Sequence, residues 1–168
     1  ARVQENLESR NSELKDALEE LQQAKDQLIE TNEEVLMQSF GLYTPRYAFM
    51  NADEYKAHLL EIRAKQKDMI KAKTAVSGNM NWTVNGNASK GKKMVSDMQK
   101  LLLRAFNSEC DDVIEHVKYN NIEASEKRIT TSREAISKLG TIMEVSIQPQ
   151  YYRLKIEELH LAFEYAQK

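Results

Sequence analysis

The sequence predicts an all-α protein: a coiled-coil-like helix over residues 1–40, then a bundle of about four helices over 41–168 with one long Gly/Asn/Lys loop. Three observations carry this. The chain of 168 residues holds only 5 Gly and 2 Pro, far too few for a turn-rich β fold. Those seven residues cluster at Gly41 and Pro45, at Gly78, Gly86 and Gly91, and at Gly140 and Pro149. The breaker-free runs between them (1–40, 46–77, 92–139 and 150–168) suit helices and are too long for ordinary strands. Apolar residues make up 41% of the chain, enough for a modest core, so wholesale disorder is excluded.

In the first run Leu7, Leu14, Leu21, Leu28 and Val35 recur every seven residues, one seam position of a heptad. The complementary position reads Gln4, Asn11, Leu18, Lys25 and Asn32. Polar seam residues lower stability and can fix register and oligomer state. A homodimer through residues 1–40 is one expectation, and a single amphipathic helix lying on the rest of the chain is the other. Ala1 opens the run without a capping signal, so the polypeptide is expected to extend upstream.

In the second run Asn51 or Asp53 is the expected N-cap. Tyr55, Leu59, Ile62, Met69, Ile70 and Val76 then share one side at helical spacing, flanked by a stripe of Lys56, Arg63, Lys67 and Lys71. The third run repeats apolar residues at Val95, Met98, Leu102, Phe106, Cys110, Val113 and Val117, and Leu101, Ala105 and Ile114 widen that face toward deep burial. An Asn-x-x-Glu pattern at Asn120–Glu123 predicts a break and a new helix, with Ile122, Ile129, Ile136 and Leu139 continuing the stripe. One long bent helix is the alternative. The last run sets Tyr152, Ile156, Leu159, Phe163 and Ala166 on one face, and nothing stops it before Lys168. Both ends read as cut points in a longer protein.

Catalytic and metal chemistry find little purchase. The segment Gly86-Asn-Ala-Ser-Lys-Gly91-Lys92-Lys93 has the outline of a phosphate-binding loop, but Lys93 stands where the motif needs Ser or Thr, and no strand precedes it. A weaker expectation remains: backbone N–H groups of Gly86, Ser89 and Gly91 at a helix N-terminus, ringed by Lys90, Lys92 and Lys93, could hold an anion. Ordinary solvated lysines are the alternative. Trp82, the only tryptophan, is either a loop anchor or a stacking platform for a base. Glu157-x-x-His160 lacks the second such step of a di-iron bundle, and Asp112 with His116 lacks a third ligand. Cys110, alone in the chain, falls in the apolar stripe. No catalytic residue, metal ligand or cofactor is therefore expected. No apolar run approaches the roughly 18 residues of a membrane span.

Several words of the sequence match a known pattern. These are Leu42-Tyr-Thr-Pro-Arg-Tyr-Ala-Phe49, Asn81-Trp-Thr-Val-Asn-Gly86 with Ser89-Lys-Gly91, and Leu102-Leu-Arg-Ala-Phe-Asn-Ser-Glu-Cys110. Val117-Lys-Tyr-Asn-Asn-Ile-Glu123 with Glu126-Lys-Arg-Ile129, and Glu157-Glu-Leu-His-Leu-Ala-Phe-Glu-Tyr165, continue it. Over about residues 40–168 the chain resembles a helical module of bacterial and phage proteins, classed as a domain of unknown function. That module commonly sits between a coiled coil and a GIY-YIG-type nuclease domain. The resemblance implies membership in a multidomain nuclease system, some of whose members look like anti-phage defence proteins. It implies no catalytic residues here, because the nuclease would follow Lys168.

Charge supplies the functional expectation. Residues 1–40 carry 4 basic and 10 acidic side chains, residues 41–108 carry 12 and 5, and residues 109–168 carry 8 and 11. A near-neutral chain of net −2 thus holds a basic stretch suited to a polyanion. The leading reading is a non-catalytic nucleic-acid recognition module that positions or licenses the downstream nuclease. Lys56, Arg63, Lys67, Lys71, Lys90, Lys92 and Lys93 would serve as phosphate contacts, with Trp82 beside them. The alternative is an oligomerisation and protein-partner adaptor that docks a phage or membrane protein. The bacterial cytoplasm is the expected location, and a membrane tether upstream of Ala1 stays open.

Overall fold

Three asparagines start helices in the same way. The Asn51 side chain accepts the Glu54 N–H at 2.8 Å, Asn87 that of Lys90 at 3.0 Å, and Asn121 that of Glu123 at 2.7 Å. Each satisfies a backbone donor that the first helical turn leaves without a partner. The computed structural model describes residues 2–39, 43, 45–47, 51–117 and 121–167, with 27–39 as backbone only. The chain divides into two units, 1–44 and 45–168. The first unit contains α1 (Arg2–Ser39). The second contains α2 (Ala52–Lys71), α3 (Ala88–His116), α4 (Ile122–Leu139), a 3-10 turn (Thr141–Met143) and α5 (Pro149–Ala166). No strand occurs among the described residues, only two isolated bridges, and the fold class is all-α as the sequence predicts.

The N-cap of α2 is Asn51 rather than Asp53, and Asp53 and Glu54 in its first turn suit the positive end of the helix dipole. It ends at Lys71, so Val76 lies beyond it. The connector to α3 is a built structure. Ser77 N–H donates to Ser146 O, Asn79 N–H to Met143 O and Gln148 N–H to Ala75 O, each at 2.9 Å. This antiparallel run ties the connector to the segment before α5. Asn85 (φ 52°) and Gly86 (φ 77°) then form the tight turn their dipeptide favours, closed by reciprocal bonds between Val84 and Asn87. The expected Gly/Asn/Lys loop therefore ends at Asn87, and Lys90, Lys92 and Lys93 belong to α3.

The second unit is organised around α5, which packs against α2, α3 and α4. α3 contributes Val95, Leu102, Phe106, Cys110 and Val113 to the core at the predicted spacing. The break that follows separates α3 from α4, as expected, but the cap is Asn121, and Asn120 lies outside the described residues. Pro149 occupies the first turn of α5, where its missing N–H costs nothing. Three apolar expectations fail. Leu101 is 62% exposed, Ile70 43% and Leu139 76%. The α3 face is narrower than its composition suggests, because α4 and α5 cover one side of it only. On α5 the deeply buried set is Tyr151, Lys155, Glu158, Leu159, His160, Leu161 and Glu164, not the stripe through Tyr152, Phe163 and Ala166.

Gly91 is fixed by close approach. A Cβ there would lie 1.7 Å from the Trp82 carbonyl oxygen, where the connector crosses the start of α3. A Cβ on Gly86 would meet nothing, and its constraint is the positive φ alone. Gly91→Ala is expected to destabilise the protein by about 3 kcal/mol or more, with Gly86→Ala costing about 1 kcal/mol. Urea denaturation of the two variants beside wild type checks the difference.

Candidate nucleic-acid interface

The outer face of α2 carries the predicted basic stripe. At 100° per residue, Lys56, Arg63 and Lys67 fall within roughly 40° of arc, and Lys71 stands close by; the four span about 22 Å along the axis. Lys56, Lys67 and Lys71 are exposed and form no ion pair among the described residues. Arg63 is divided: its side chain is largely solvated, yet its guanidinium lies 3.7 Å from the Glu158 carboxylate. Leu60, 70% exposed, sits amid the stripe and gives it an apolar centre.

The second group stands on another helix. Lys90 and Lys92 are exposed in the first turns of α3, while Lys93 is held by Asp97 at 2.8 Å. That hydrogen bond raises the Lys93 pKa and lowers that of Asp97. The Gly91 N–H donates to Asn87 O at 3.2 Å and the Lys90 N–H to the Asn87 side chain. Gly91 therefore leaves no free donor for an anion. Trp82 is half-buried on the connector.

Sequence reasoning missed Lys73. It adopts φ 60° just past α2 and lines a depression of about 580 Å³ with Met69, Thr74, Ser77, Gln148 and Gln150. The depression opens where the basic stripe ends. The signal was the spacing Lys67, Lys71, Lys73, which carries positive charge past the helix terminus.

Beneath the stripe lies a polar joint. Glu158, 3% exposed, accepts from Gln66 Nε2 at 2.9 Å and faces the buried Lys155 ammonium at 3.9 Å as well as Arg63. Lys155 also reaches Asp111 at 3.9 Å. Tyr55 of α2 stacks on Tyr165 of α5 at 4.3 Å between ring centres. Elsewhere α5 sends His160 against Glu126 of α4, and Tyr151 donates to Asn107 of α3 at 2.6 Å.

Asp112 and Cys110 have structural roles. Asp112, one half of the Asp112–His116 pair, is bound by Arg128 of α4 at 2.7 Å, which joins the two helices. Burial pushes the Cys110 thiol up to about 12, leaving it protonated and unreactive near neutrality. Among the described residues no group of three His, Cys, Asp or Glu side chains could hold a metal. No helix among them is long and apolar enough to cross a membrane.

The second unit is thus a helical bundle with a row of exposed cations on α2 and several ionisable side chains buried on α5. The profile of the SNIPE associated domain matches residues 52–168, and the chain belongs to that family. It is a helical domain associated with GIY-YIG nucleases. Neither a curated protein nor a solved structure matches the chain.

Removing the Glu158 carboxylate leaves the buried Lys155 ammonium only the exposed Asp111 as a counter-charge. Glu158→Ala is expected to cost about 3 kcal/mol, read from the midpoint of urea denaturation. Cys110 sets an alkaline limit. In the unfolded chain it ionises near 9.0, while the folded thiol keeps its proton to about 12. The unfolded state thus binds fewer protons above pH 9, and stability falls as pH rises through that value. Tyr151, also raised by burial from 10.0 to about 12, adds to the fall only at higher pH. Cys110→Ala should therefore flatten the decline between pH 9 and 10, measured by denaturation at stepped pH.

Proposed function

We propose that residues 45–168 are the nucleic-acid-holding module of a GIY-YIG-type nuclease in an anti-phage defence protein. The module does no chemistry; it grips the phosphate backbone and presents the strand to the attached nuclease. Lys56, Arg63, Lys67 and Lys71 on α2 form the principal contact line, Lys90, Lys92 and Lys93 on α3 a second one, and Trp82 offers a face to an unpaired base.

The observation that carries this reading is the solvent-facing stripe on α2, with three of its four cations free of ion pairs among the described residues. An isolated surface lysine is ordinary. Four cations on one face over about 22 Å, opposite a strand with a phosphate every 3.4 Å or so, make a phosphate-matching array. The excess of 12 basic over 5 acidic residues in 41–108 points the same way, as does the family's association with nucleases. Binding by such an array releases counterions and is blind to sequence.

Fluorescence anisotropy with a labelled duplex and a labelled single strand, over stepped salt, tests this. Wild type should bind with affinity that falls steeply as salt rises. Lys56→Glu/Lys67→Glu/Lys71→Glu should lose at least tenfold at low salt and show a log–log salt slope shallower by about 3. Lys90→Glu/Lys92→Glu/Lys93→Glu should lose less. Equal binding by wild type and both variants would overturn the assignment, as would absence of binding at low salt.

A further inference from the structure

Four leucines of the α1 seam are exposed. Leu7, Leu14, Leu18 and Leu21 are each 51–59% exposed on a 38-residue helix. A solvated helix of this kind draws its stability from burying one stripe against something else.

The charges say what covers it. With Leu7, Leu14 and Leu21 at heptad position d, nine of the ten acidic residues of 1–40 fall at b, c or f, the outer side of a coiled coil; only Glu8, at e, does not. The flanks e and g hold Ala17, Ala24, Ile29 and Leu36 instead. A helix with six more acids than bases would repel its own copy if those acids lined the contact. Here they point outward, and a second copy approaches a face almost free of negative charge. Arg10 and Lys15, also on the flanks, have Glu13 and Glu19 three and four residues on in their own helix.

Orientation follows from the polar seam. Asn11 and Asn32 occupy position a. In a parallel, in-register pair each meets the same Asn of the other copy, and the two amides satisfy one another. In an antiparallel pair each would face a leucine-bearing d position with no hydrogen-bond partner.

We infer that α1 is a self-association element, covered by a second copy of the chain in a parallel, in-register, two-stranded coiled coil. The inference concerns α1 alone and is independent of nucleic-acid binding by the second unit.

Sedimentation velocity on the whole chain over a wide dilution series should give twice the chain mass. Leu14→Glu/Leu21→Glu should give one chain mass while keeping the thermal unfolding of the second unit. Leu14→Cys should link two chains on air oxidation, because d meets d in this register, whereas Ser9→Cys at outer position f should not. The native Cys110 is fully buried and does not interfere. A monomeric wild type, a trimer, a dimer that survives the glutamates, or equal linkage of the two cysteine variants would each overturn the inference.

Discussion

The carboxylate of Glu158 is the constraint on which the second unit depends. A buried charge is tolerated only where partners replace its water, and here they come from three directions: Gln66 and Arg63 of α2, and Lys155 one turn earlier on α5. The joint places α2. Beside it lies an apolar cluster, with Ile62 and Leu161 buried and Tyr47, Tyr55, Leu59 and Leu154 partly so. The polar contact and this apolar cluster together hold one face of α2 inward, leaving Lys56, Lys67 and Lys71 exposed. Arg63 belongs to both systems, as a rim cation of the stripe and a partner of the buried carboxylate.

Charge is sorted by helix along the chain. α1 carries most of its acids off the leucine seam, α2 has a row of exposed cations, and α5 turns Lys155, Glu158, His160 and Glu164 inward, where all four are buried. The near-neutral total hides three different placements of charge: acids set off the leucine seam, exposed cations in a row on α2, and ionisable groups inside a core.

Much of the fold was legible because α3, and the first half of α4 at Ile122 and Ile129, obey simple periodicity. Val95, Leu102, Phe106 and Cys110 recur at the spacing of a helix buried on one side, whereas of the asparagine caps the sequence offered Asn51, set that of α4 one residue early at Asn120 and left Asn87 unread. The central role of α5 was hidden, because its buried positions are polar and their partners lie far away in sequence: Gln66, Glu126, and the backbone N–H groups of Arg46 and Tyr47 that donate to Glu164. Leu101 and Leu139 misled for the opposite reason. Apolar residues are common on protein surfaces, and periodicity does not say how wide a neighbour's footprint is. The basic stripe could be read from spacing alone. The division of Arg63 between two roles, and the placement of Lys73, needed tertiary structure.

The connector that crosses Gly91 also carries the single indole of the protein. Its emission therefore arises at one place, the junction of connector and α3, with no second tryptophan to average against. Trp82 gives the molecule a built-in optical probe of that junction. Events at the lysine-bearing start of α3 and events at the far end of the bundle are thus separable by light, without attaching a dye.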